Sequence, residues 1–374
     1  MIKRIYDNLE EHIQANKALI IFGPRRVGKT TLLNNYLKNT NYKYKLDSGD
    51  NIRLQNTLKS QDFKKILGYA EGYELIAIDE AQQIPNIGMA LKILIDNIPN
   101  IKIIATGSSS FDLSQQIGEP LTGRKKTITL YPLSQKELLS KFNKQELKEK
   151  LKDFLIFGSY PDIVLAKNNK ERIDFLEELV NSYLLKDILS LDKIKSSSIL
   201  LNLLKLLSFQ VGNLVSLNEL ANTLKIDAKT VDRYLDLLEK SFIIVRLGGF
   251  SRNLRNEINS KAKYYFLDNG VRNAVITQYS DLENRDDIGQ LFENFIISER
   301  IKKCSYDKIY GSRYFWRNYE GKEIDLLEER EGKIFAYEFK WSKTNSSAPK
   351  DFINNYENSE YNTINKNNYL DFII

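Results

Sequence analysis

The sequence has 374 residues and a net charge of +6; the length predicts two to three domains, and the charge permits binding to nucleic acid without requiring it. The composition, 42% hydrophobic and 28% charged, is that of an ordinary folded protein. His12 is the only histidine and Cys304 the only cysteine, which excludes Ser-His-Asp and Cys-His catalysis, the usual zinc sites and a disulfide framework, so any chemistry must rest on carboxylates, lysines and ions such as Mg²⁺.

The start of the chain, MIKRIYDNLEEH, has no apolar region of the kind that a secretory signal needs. The longest apolar stretch, SSSILLNLLKLLSFQVG, is interrupted by Asn202 and Lys205 and is too short to span a bilayer. A single cysteine fits a reducing compartment. We therefore expect a cytoplasmic protein with no membrane partner.

Residues 1–132 alternate helical patterns with three short apolar runs, KALIIFG, YELIAIDE and IKIIATG. Such runs are typical of a parallel sheet that is covered on both faces. The first run leads into GPRRVGKTT, which matches G-x-x-x-x-G-K-[ST] and precedes the helical pattern TLLNNYLKN. The sequence therefore predicts a phosphate-binding loop for ATP. Its residues are Gly23, Pro24, Arg25, Arg26, Val27, Gly28, Lys29, Thr30 and Thr31.

The run LIAIDE places two acids at the end of an apolar strand, where the loops of a parallel sheet bind ligands. In a phosphate-binding loop, Lys29 reaches the β- and γ-phosphates and Thr30 holds Mg²⁺. Asp79 would contact the Mg²⁺ through water, and Glu80 would polarise the attacking water. These roles favour hydrolysis of ATP over binding alone. The alternative is a plain helix start after the strand, with Asp79 as its N-cap.

Three further side chains are candidates for contact with the γ-phosphate. Thr106 or Ser108, at the end of the third run, would sense the phosphate, although both residue types also favour turns. Arg124, in LTGRKKTITLYPLS, is a candidate for the cation that stabilises transition-state charge, within its own subunit or on a neighbouring copy. Homo-oligomerisation is therefore left open, and the alternative for Arg124 is a solvated surface position.

The segments GPRRVGKTTLL, LIAIDEAQ, IIATGSSS and GR…YPLS together resemble a group of prokaryotic AAA-type P-loop ATPases. This resemblance spans most of the chain and implies a winged helix and a C-terminal nuclease-like domain after the ATPase. The expected domains are an ATPase core at 1–132, a helical lid or connector at 133–207, a winged helix-turn-helix at 208–270 and a nuclease-like domain at 286–374.

A helix-turn-helix is predicted from SLNELANTLKIDAKTVDRYLDLLEKSFIIVRL, in which Asp227 caps the second helix. In a DNA reader, Lys229, Thr230 and Arg233 would enter the major groove, and a basic wing would hold phosphates. The predicted wing residues are Arg246, Arg252, Arg255, Lys261 and Lys263. Acidic side chains on the second helix would repel phosphate, so docking of a partner protein is the alternative.

The stretch GKEIDLLEEREGKIFAYEFKWSK contains three charges in strand-like surroundings. Alternation puts Glu338 and Lys340 on one face, and an even-length turn at Glu331-Gly332 would pair residue 325 with residue 338. Asp325 and Glu338 would then be opposed, which is unfavourable unless a cation lies between them. We therefore expect both carboxylates to bind Mg²⁺ or Mn²⁺ and Lys340 to orient water or stabilise phosphorane charge. An odd-length loop would shift the pairing by one residue.

Asp325 followed by Glu338-Phe339-Lys340 resembles the pattern of the PD-(D/E)xK nuclease superfamily. The resemblance adds Glu293, in QLFENFIISER, as a metal ligand from the preceding helix. Ile324 stands where some members have proline, a position without chemistry. The plainer alternative is a solvent-facing Glu and Lys on a half-exposed strand, and such domains can keep the fold without the reaction.

The predicted fold class is α/β: a P-loop NTPase parallel sheet, a helical lid and winged helix, then a small restriction-endonuclease-like α/β domain. The expected function is Mg²⁺-dependent hydrolysis of ATP, coupled to action on DNA or another nucleic acid. The rival is an ATP-driven regulatory switch whose nuclease-like domain is inactive and which docks a partner protein.

Overall fold

The structure is a computed structural model that describes residues 2–108, 118, 120–184, 197–251, 261–342 and 346–374. The chain divides into two compact units, residues 3–132 with 240–242 and residues 133–239 with 243–374. Apart from residues 240–242, the predicted connector, winged helix and nuclease-like domain fall in the second unit, and the boundaries between them stay predictions. No helix within the described ranges is both long and apolar enough to cross a bilayer.

The first unit is built on a parallel sheet whose described strands follow the order β2-β3-β4-β1-β5. The strands are β1 (Lys17–Phe22), β2 (Tyr44–Ser48), β3 (Leu75–Asp79), β4 (Lys102–Gly107) and β5 (Lys125–Thr129). Consecutive side chains of β1, β3 and β4 are buried, which requires cover on both faces of the sheet. The predicted parallel α/β sheet is confirmed.

Helices connect these strands, and several begin at a capping side chain. Asn51 accepts a hydrogen bond from the Arg53 N–H at 2.9 Å, and Asp62 accepts one from the Lys65 N–H at 3.2 Å. The α-helices are Lys29–Asn39, Ile52–Leu58, Phe63–Ala70 and Ile87–Asn97. Because all five strands are parallel, the loop after β1 and the ends of β3 and β4 lie at one edge of the sheet.

The second unit contains a mixed sheet with the described order β12-β11-β10-β9-β7-β8-β6. Its strands are β6 (Leu214–Val215), β7 (Ile244–Gly249), β8 (Ala262–Phe266), β9 (Ser312–Arg317), β10 (Glu323–Arg330), β11 (Lys333–Lys340) and β12 (Ser359–Asn365). β7 pairs in parallel with β9, Gly248 with Tyr314 and Gly249 with Phe315. The strands of the predicted winged helix and nuclease-like domain therefore share one sheet, which the sequence did not predict.

The helix Ile288–Tyr306 packs on the aromatic face of β11. The Phe292 ring meets Trp341 edge-on at 5.6 Å between centroids, and Tyr337 lies 4.5 Å from Phe372. Aromatic side chains therefore line the face of β11 that packs against these rings. The other helices after residue 132 are Gln135–Leu138, Lys144–Glu149, Leu151–Phe157, Pro161–Leu165, Asn169–Glu178, the π-helical Leu179–Leu184, Ser197–Phe209, Leu217–Leu224, Ala228–Lys240, Asn269–Val275, Lys350–Asn355 and Tyr369–Ile373.

The two helices predicted as a helix-turn-helix are present at Leu217–Leu224 and Ala228–Lys240. Asp227 accepts a hydrogen bond from the Thr230 N–H at 2.8 Å, so its predicted role as the cap of the second helix is confirmed. β7 and β8 follow as an antiparallel pair, and β6 adds to β8. Assignment of this segment to the winged-helix class stays a prediction.

Lys263 is not a solvent-facing wing residue. Every residue of β8 is buried, and only 1% of Lys263 is exposed. Its ammonium lies 2.9 Å from a carboxylate oxygen of Glu323. The prediction that Lys263 holds nucleic-acid phosphate is therefore wrong, because β8 runs inside the sheet between β7 and β6. Arg252 and Arg255 lie outside the described residues.

β10 and β11 form the predicted hairpin. Glu331 and Gly332 make its two-residue turn, with φ angles of 54° and 73°. The pairing runs from Leu326 opposite Tyr337 to Arg330 opposite Lys333. The predicted even-length turn is confirmed, and the same register carried one step further would set residue 325 opposite residue 338.

We predict that Glu331→Asn stabilises the protein. Glu331 is exposed and holds a left-handed conformation that costs most residues about 1–2 kcal/mol, whereas asparagine tolerates it. The free energy of unfolding, measured in urea by tryptophan fluorescence, should rise by about 0.5–1 kcal/mol. The control is Glu329→Asn, the same change at an exposed strand position, which should be neutral or slightly destabilising. Equal effects of the two variants would contradict the turn argument.

Candidate functional sites

The predicted phosphate-binding loop connects β1 to the helix Lys29–Asn39. Gly23 has a φ of 151°, and a Cβ there would lie 2.0 Å from the carbonyl oxygen of Leu130, so only glycine fits. Gly28 precedes the helix with a φ of 96°. The Lys29 ammonium donates to the carbonyls of Gly23 at 2.8 Å and Pro24 at 2.9 Å. The strand, loop and helix that the motif requires are therefore all present.

Arg4, which lies outside the motif, is hydrogen-bonded to this loop. Its guanidinium donates to the Val27 carbonyl and, at 2.7 Å, to the Tyr131 carbonyl after β5. Arg4 is 9% exposed and Val27 is fully buried. Sequence reasoning missed Arg4, because an arginine near the chain start carries no motif. Of the other loop residues, Arg25 is half-buried, whereas Arg26 and Thr31 are exposed.

Asp79 connects the loop helix to the neighbouring strand. One carboxylate oxygen accepts from the Thr30 hydroxyl at 2.7 Å, and the other accepts from the Thr106 hydroxyl. Thr106 Oγ1 in turn accepts from the Glu80 N–H at 3.1 Å. β4, which carries Thr106, lies between β1 and β3. A hydroxyl and a carboxylate held together at a phosphate-binding loop are the oxygen donors that Mg²⁺ prefers.

Glu80 follows Asp79 with a left-handed φ of 51°. Its carboxylate accepts from the side-chain amide of Gln82, which also donates to the Ser108 hydroxyl at 3.1 Å. Strained backbone at a non-glycine residue often marks a functional position. Through its two hydrogen bonds, the Gln82 side chain bridges the predicted base Glu80 and the predicted sensor Ser108. Sequence reasoning missed Gln82, although it lies only two residues after Glu80 in DEAQQ.

Arg124 lies at the opposite end of the parallel strands, where β1 and β5 begin. It immediately precedes β5, and its carbonyl accepts from the Ala18 N–H at the start of β1. Four strand residues, roughly 13 Å, separate Ala18 from Phe22, after which the phosphate-binding loop begins. Its Nε pairs with Asp96 at 2.6 Å with both side chains partly exposed. The structure therefore does not bring Arg124 to the loop of its own subunit, and action on a neighbouring copy stays a prediction.

The second site is a cluster of carboxylates on the mixed sheet, here called the carboxylate cluster and consisting of Glu293, Asp325 and Glu338. Asp325 lies at an irregularity between β9 and β10, where the register shifts between Ile324 and Leu327. Such bulges re-aim a side chain and are frequent next to active sites. The Phe339 N–H donates to Asp325 Oδ2 at 2.8 Å, and 7% of Asp325 is exposed.

Glu338 and Lys340 extend from the same face of β11, as predicted. The Lys340 ammonium lies 2.6 Å from Glu338 Oε1. Glu338 Oε2 is buried and has no hydrogen-bond partner among the described residues. Burial raises the pKa of Glu338, and the charge of Asp325 raises it further. Burial also raises the pKa of Asp325. The pair thus carries negative charge that its neighbours offset only in part.

Glu293 reaches the cluster from the helix Ile288–Tyr306 and is held by Tyr265 of β8. The Tyr265 hydroxyl donates to Glu293 Oε1 at 2.7 Å. Burial, followed by the charge of Asp325, raises the pKa of Glu293 to about 8. A Cβ at Gly212 would lie 2.8 Å from the same oxygen, so a glycine leaves room for the carboxylate. Sequence reasoning missed Tyr265, because a tyrosine in an apolar strand is expected in any core.

The cluster fits one divalent cation in donor chemistry. Asp325 and Glu338 offer hard oxygen ligands, and Glu338 Oε2 lacks a partner in the described chain. No group of three or more His, Cys, Asp or Glu side chains in the described ranges is arranged as a metal site. Mg²⁺ is commonly bound through one or two carboxylates with water and substrate oxygens completing its shell. The role of Glu293 as a ligand stays a prediction.

Three family models match consecutive parts of the chain. Residues 15–139 match an AAA domain. Residues 148–285 match a domain of unknown function (DUF8612), and residues 288–370 match another domain of unknown function (DUF4143). The first match contains the phosphate-binding loop, Asp79 and Glu80, and the third contains the carboxylate cluster.

Relatives from bacteria and archaea align along most of the chain. An uncharacterized protein of Haemophilus influenzae is 28% identical, with 84% of this chain and 80% of the relative covered. One of Methanocaldococcus jannaschii is 28% identical, with 88% and 76% covered, and one of Mycobacterium tuberculosis is 25% identical, with 88% and 71% covered.

Among solved structures, the flagellar accessory protein FlaH of Methanocaldococcus jannaschii matches 34% of this chain and 78% of its own, at 16% identity. The TM-score of 0.23 is too low to establish a shared fold. Residues 15–139 are therefore similar to an AAA domain of P-loop ATPase type, with which the parallel sheet of the first unit is consistent, and residues 288–370 are similar to a DUF4143 domain.

Proposed function

We propose that the protein is an Mg²⁺-dependent ATPase that acts on nucleic acid through its second unit. The observation that carries the ATPase half is the Asp79 carboxylate held between Thr30 and Thr106 beside the Lys29 loop. A carboxylate, a hydroxyl and an ammonium at the carboxyl edge of a parallel sheet form the set that nucleoside triphosphate hydrolysis requires.

The loop would bind the triphosphate mainly through its backbone. The helix Lys29–Asn39 begins directly after Gly28, and a helix N-terminus favours negative charge. Lys29 bonds to the carbonyls of Gly23 and Pro24 and would exchange these contacts for phosphate oxygens. Arg4 keeps the loop closed against the Tyr131 segment and supports this shape.

Thr30 and Asp79 would hold Mg²⁺, which offsets the charge of the phosphate oxygens when it is bound. Glu80 would orient the attacking water and accept its proton. Gln82 fixes the Glu80 carboxylate and bonds to Ser108, so it positions the base relative to the end of β4. Glu80 itself has a left-handed backbone conformation, which is uncommon for a residue other than glycine and is often found at functional positions.

We predict that Lys29→Ala abolishes ATP binding, whereas Glu80→Gln keeps binding and lowers turnover by about 10² to 10⁴-fold. The first change removes the phosphate cation, and the second removes a general base of that typical worth. ATP binding is measured by calorimetry and turnover by phosphate release. The control is Lys38→Ala, which removes an exposed lysine from the end of the same helix. Undiminished turnover in Lys29→Ala would refute the assignment of ATP hydrolysis to this loop.

We also predict that Gln82→Ala lowers turnover about tenfold at unchanged ATP affinity. The change frees the Glu80 carboxylate and leaves its charge in place, so the loss is one of positioning. Gln83→Ala is the matched control, because Gln83 is the neighbouring glutamine and is exposed. Equal turnover in the two variants would show that Gln82 does not position the base.

For the second unit, we propose metal-dependent cleavage of nucleic acid at the carboxylate cluster. The observation that favours it is the opposed pair Asp325 and Glu338, whose buried Oε2 has no described partner, next to the Lys340 ammonium. Asp325 and Glu338 would hold Mg²⁺ or Mn²⁺, which lowers the pKa of a bound water. Lys340 is partly exposed and would stabilise negative charge as it develops on the phosphate.

Contact with duplex DNA is proposed for the helix Ala228–Lys240. Lys229 and Arg233 are exposed on it, and Thr230 follows the capping Asp227. Exposed acids Asp232 and Asp236 share this helix and favour the rival role, docking of a partner protein by an ATP-driven switch. A steep fall in DNA affinity with salt would support the nucleic-acid role, since phosphate contacts release counterions.

We predict that cleavage of DNA or RNA requires Mg²⁺ or Mn²⁺ and is lost in Asp325→Asn and in Lys340→Met, by about 10²-fold or more. The control is Lys333→Met, which removes a lysine from the other end of β11. Substrates are single- and double-stranded, with and without ATP, and products are resolved on gels. A wild-type protein inert on every substrate would leave the regulatory switch as the function of the second unit.

A further inference from the structure

Lys263 is a buried cation beside the carboxylate cluster. Only 1% of it is exposed, and its Nζ lies 2.9 Å from Glu323 Oε2 and 5.4 Å from the centroid of the Phe315 ring. Lysine is almost never fully buried unless its charge is paired. A lysine in this position therefore needs the negative charge of the groups around it, and they in turn experience its positive charge.

The carboxylates around Lys263 differ in how deeply they are buried. Glu323 is 30% exposed at its side chain, and its other oxygen lies 3.0 Å from Arg317. Asp325 is two residues further along β10 and is 7% exposed. Burial alone would lower the pKa of Lys263, but the charges of Glu293 and Asp325 and the contact with Glu323 raise it. The ammonium is thus electrostatically coupled to carboxylates that it does not touch.

Two side chains of β8 contribute to the surroundings of the carboxylate cluster. Lys263 and Tyr265 are two residues apart on the strand and so extend from the same face. Tyr265 donates to Glu293, and Lys263 pairs with Glu323 next to Asp325. One strand of the predicted winged helix therefore supplies both a hydrogen-bond donor and a cation to the candidate cleavage site.

We propose that Lys263 is the internal counter-ion of the carboxylate cluster and sets how tightly the cluster takes up a divalent cation. Its ammonium offsets the mutual repulsion of Asp325 and Glu338, and that of Glu293 once Glu293 has lost its proton, when no metal is bound. The same charge repels an incoming divalent cation. Lys263 is thus a positioning residue for the proposed site, and the part of the inference that concerns metal uptake rests on the proposed cleavage function.

The first test is calorimetric titration of the nucleotide-free full chain with Mn²⁺. Lys263→Met should lower the Kd for Mn²⁺ by about tenfold or more, because charges a few ångströms apart interact appreciably even at an effective dielectric constant near 20. Glu323→Gln should raise the Kd, because it leaves the lysine charge without its direct partner. Lys261→Met removes an exposed lysine just before β8 and should leave the Kd for Mn²⁺ unchanged.

Opposite shifts of the Kd for Mn²⁺ in Lys263→Met and Glu323→Gln distinguish a counter-ion from a packing residue, since structural damage would weaken Mn²⁺ binding in both variants. If Lys263→Met binds Mn²⁺ no more tightly than Lys261→Met, the inference is overturned while the metal site stands. If neither the wild type nor any of the variants binds Mn²⁺, the proposed cleavage function fails, and the counter-ion role is then decided by unfolding.

The second test is a double-mutant cycle on urea unfolding without metal. Lys263→Met should lower the urea midpoint less in the Asp325→Asn background than in the wild type, because one of the repelling charges is then gone. An equal shift in both backgrounds would overturn the inference, because it would show that Lys263 and Asp325 are not coupled. This result does not depend on whether the cluster binds a metal.

Discussion

Burial of carboxylates in the mixed sheet is the constraint on which much of the second unit depends. A buried charge is costly unless it is paired, hydrogen-bonded or bound to a cation. The surrounding fold supplies pairing and hydrogen bonds: the Phe339 N–H donates to Asp325, Tyr265 donates to Glu293, and Lys340 pairs with Glu338. These groups come from strands that must be in register, so the cluster and the sheet specify each other.

The first unit solves a related problem with neutral donors. Asp79 is surrounded by two threonine hydroxyls, one from the loop helix and one from β4, and has no lysine partner of its own in the described contacts. Hydroxyls hold the carboxylate in place without cancelling its charge, which leaves that charge available to a cation. The same contrast separates Asp79 from Glu338, whose charge is partly neutralised by an adjacent ammonium.

Local patterns predicted what depends on nearby residues. The loop from Gly23 to Thr31, the Asp227 cap and the Glu331-Gly332 turn follow from spacing and backbone preference, and the structure contains all three. Arg4, Gln82 and Lys263 could not be found this way, because their roles arise from tertiary contacts. Lys263 was misread because a basic residue in a predicted wing is expected in solvent, whereas the pairing of β7 with β9 carries its strand into a core.

The parallel pairing of β7 with β9 has a consequence for dissecting the molecule. Gly248 and Gly249 of β7 bond to a strand more than sixty residues later in the chain, across the boundary drawn from the sequence between residues 270 and 286. A fragment that stops at this boundary would keep β7 as an open edge, and one that starts there would expose β9. Both fragments would expose unpaired backbone N–H and C=O groups. The first fragment would also lose the acidic side chains that stabilise Lys263. The helices Leu217–Leu224 and Ala228–Lys240 and the carboxylate cluster are therefore expected to fold and unfold as a single cooperative body.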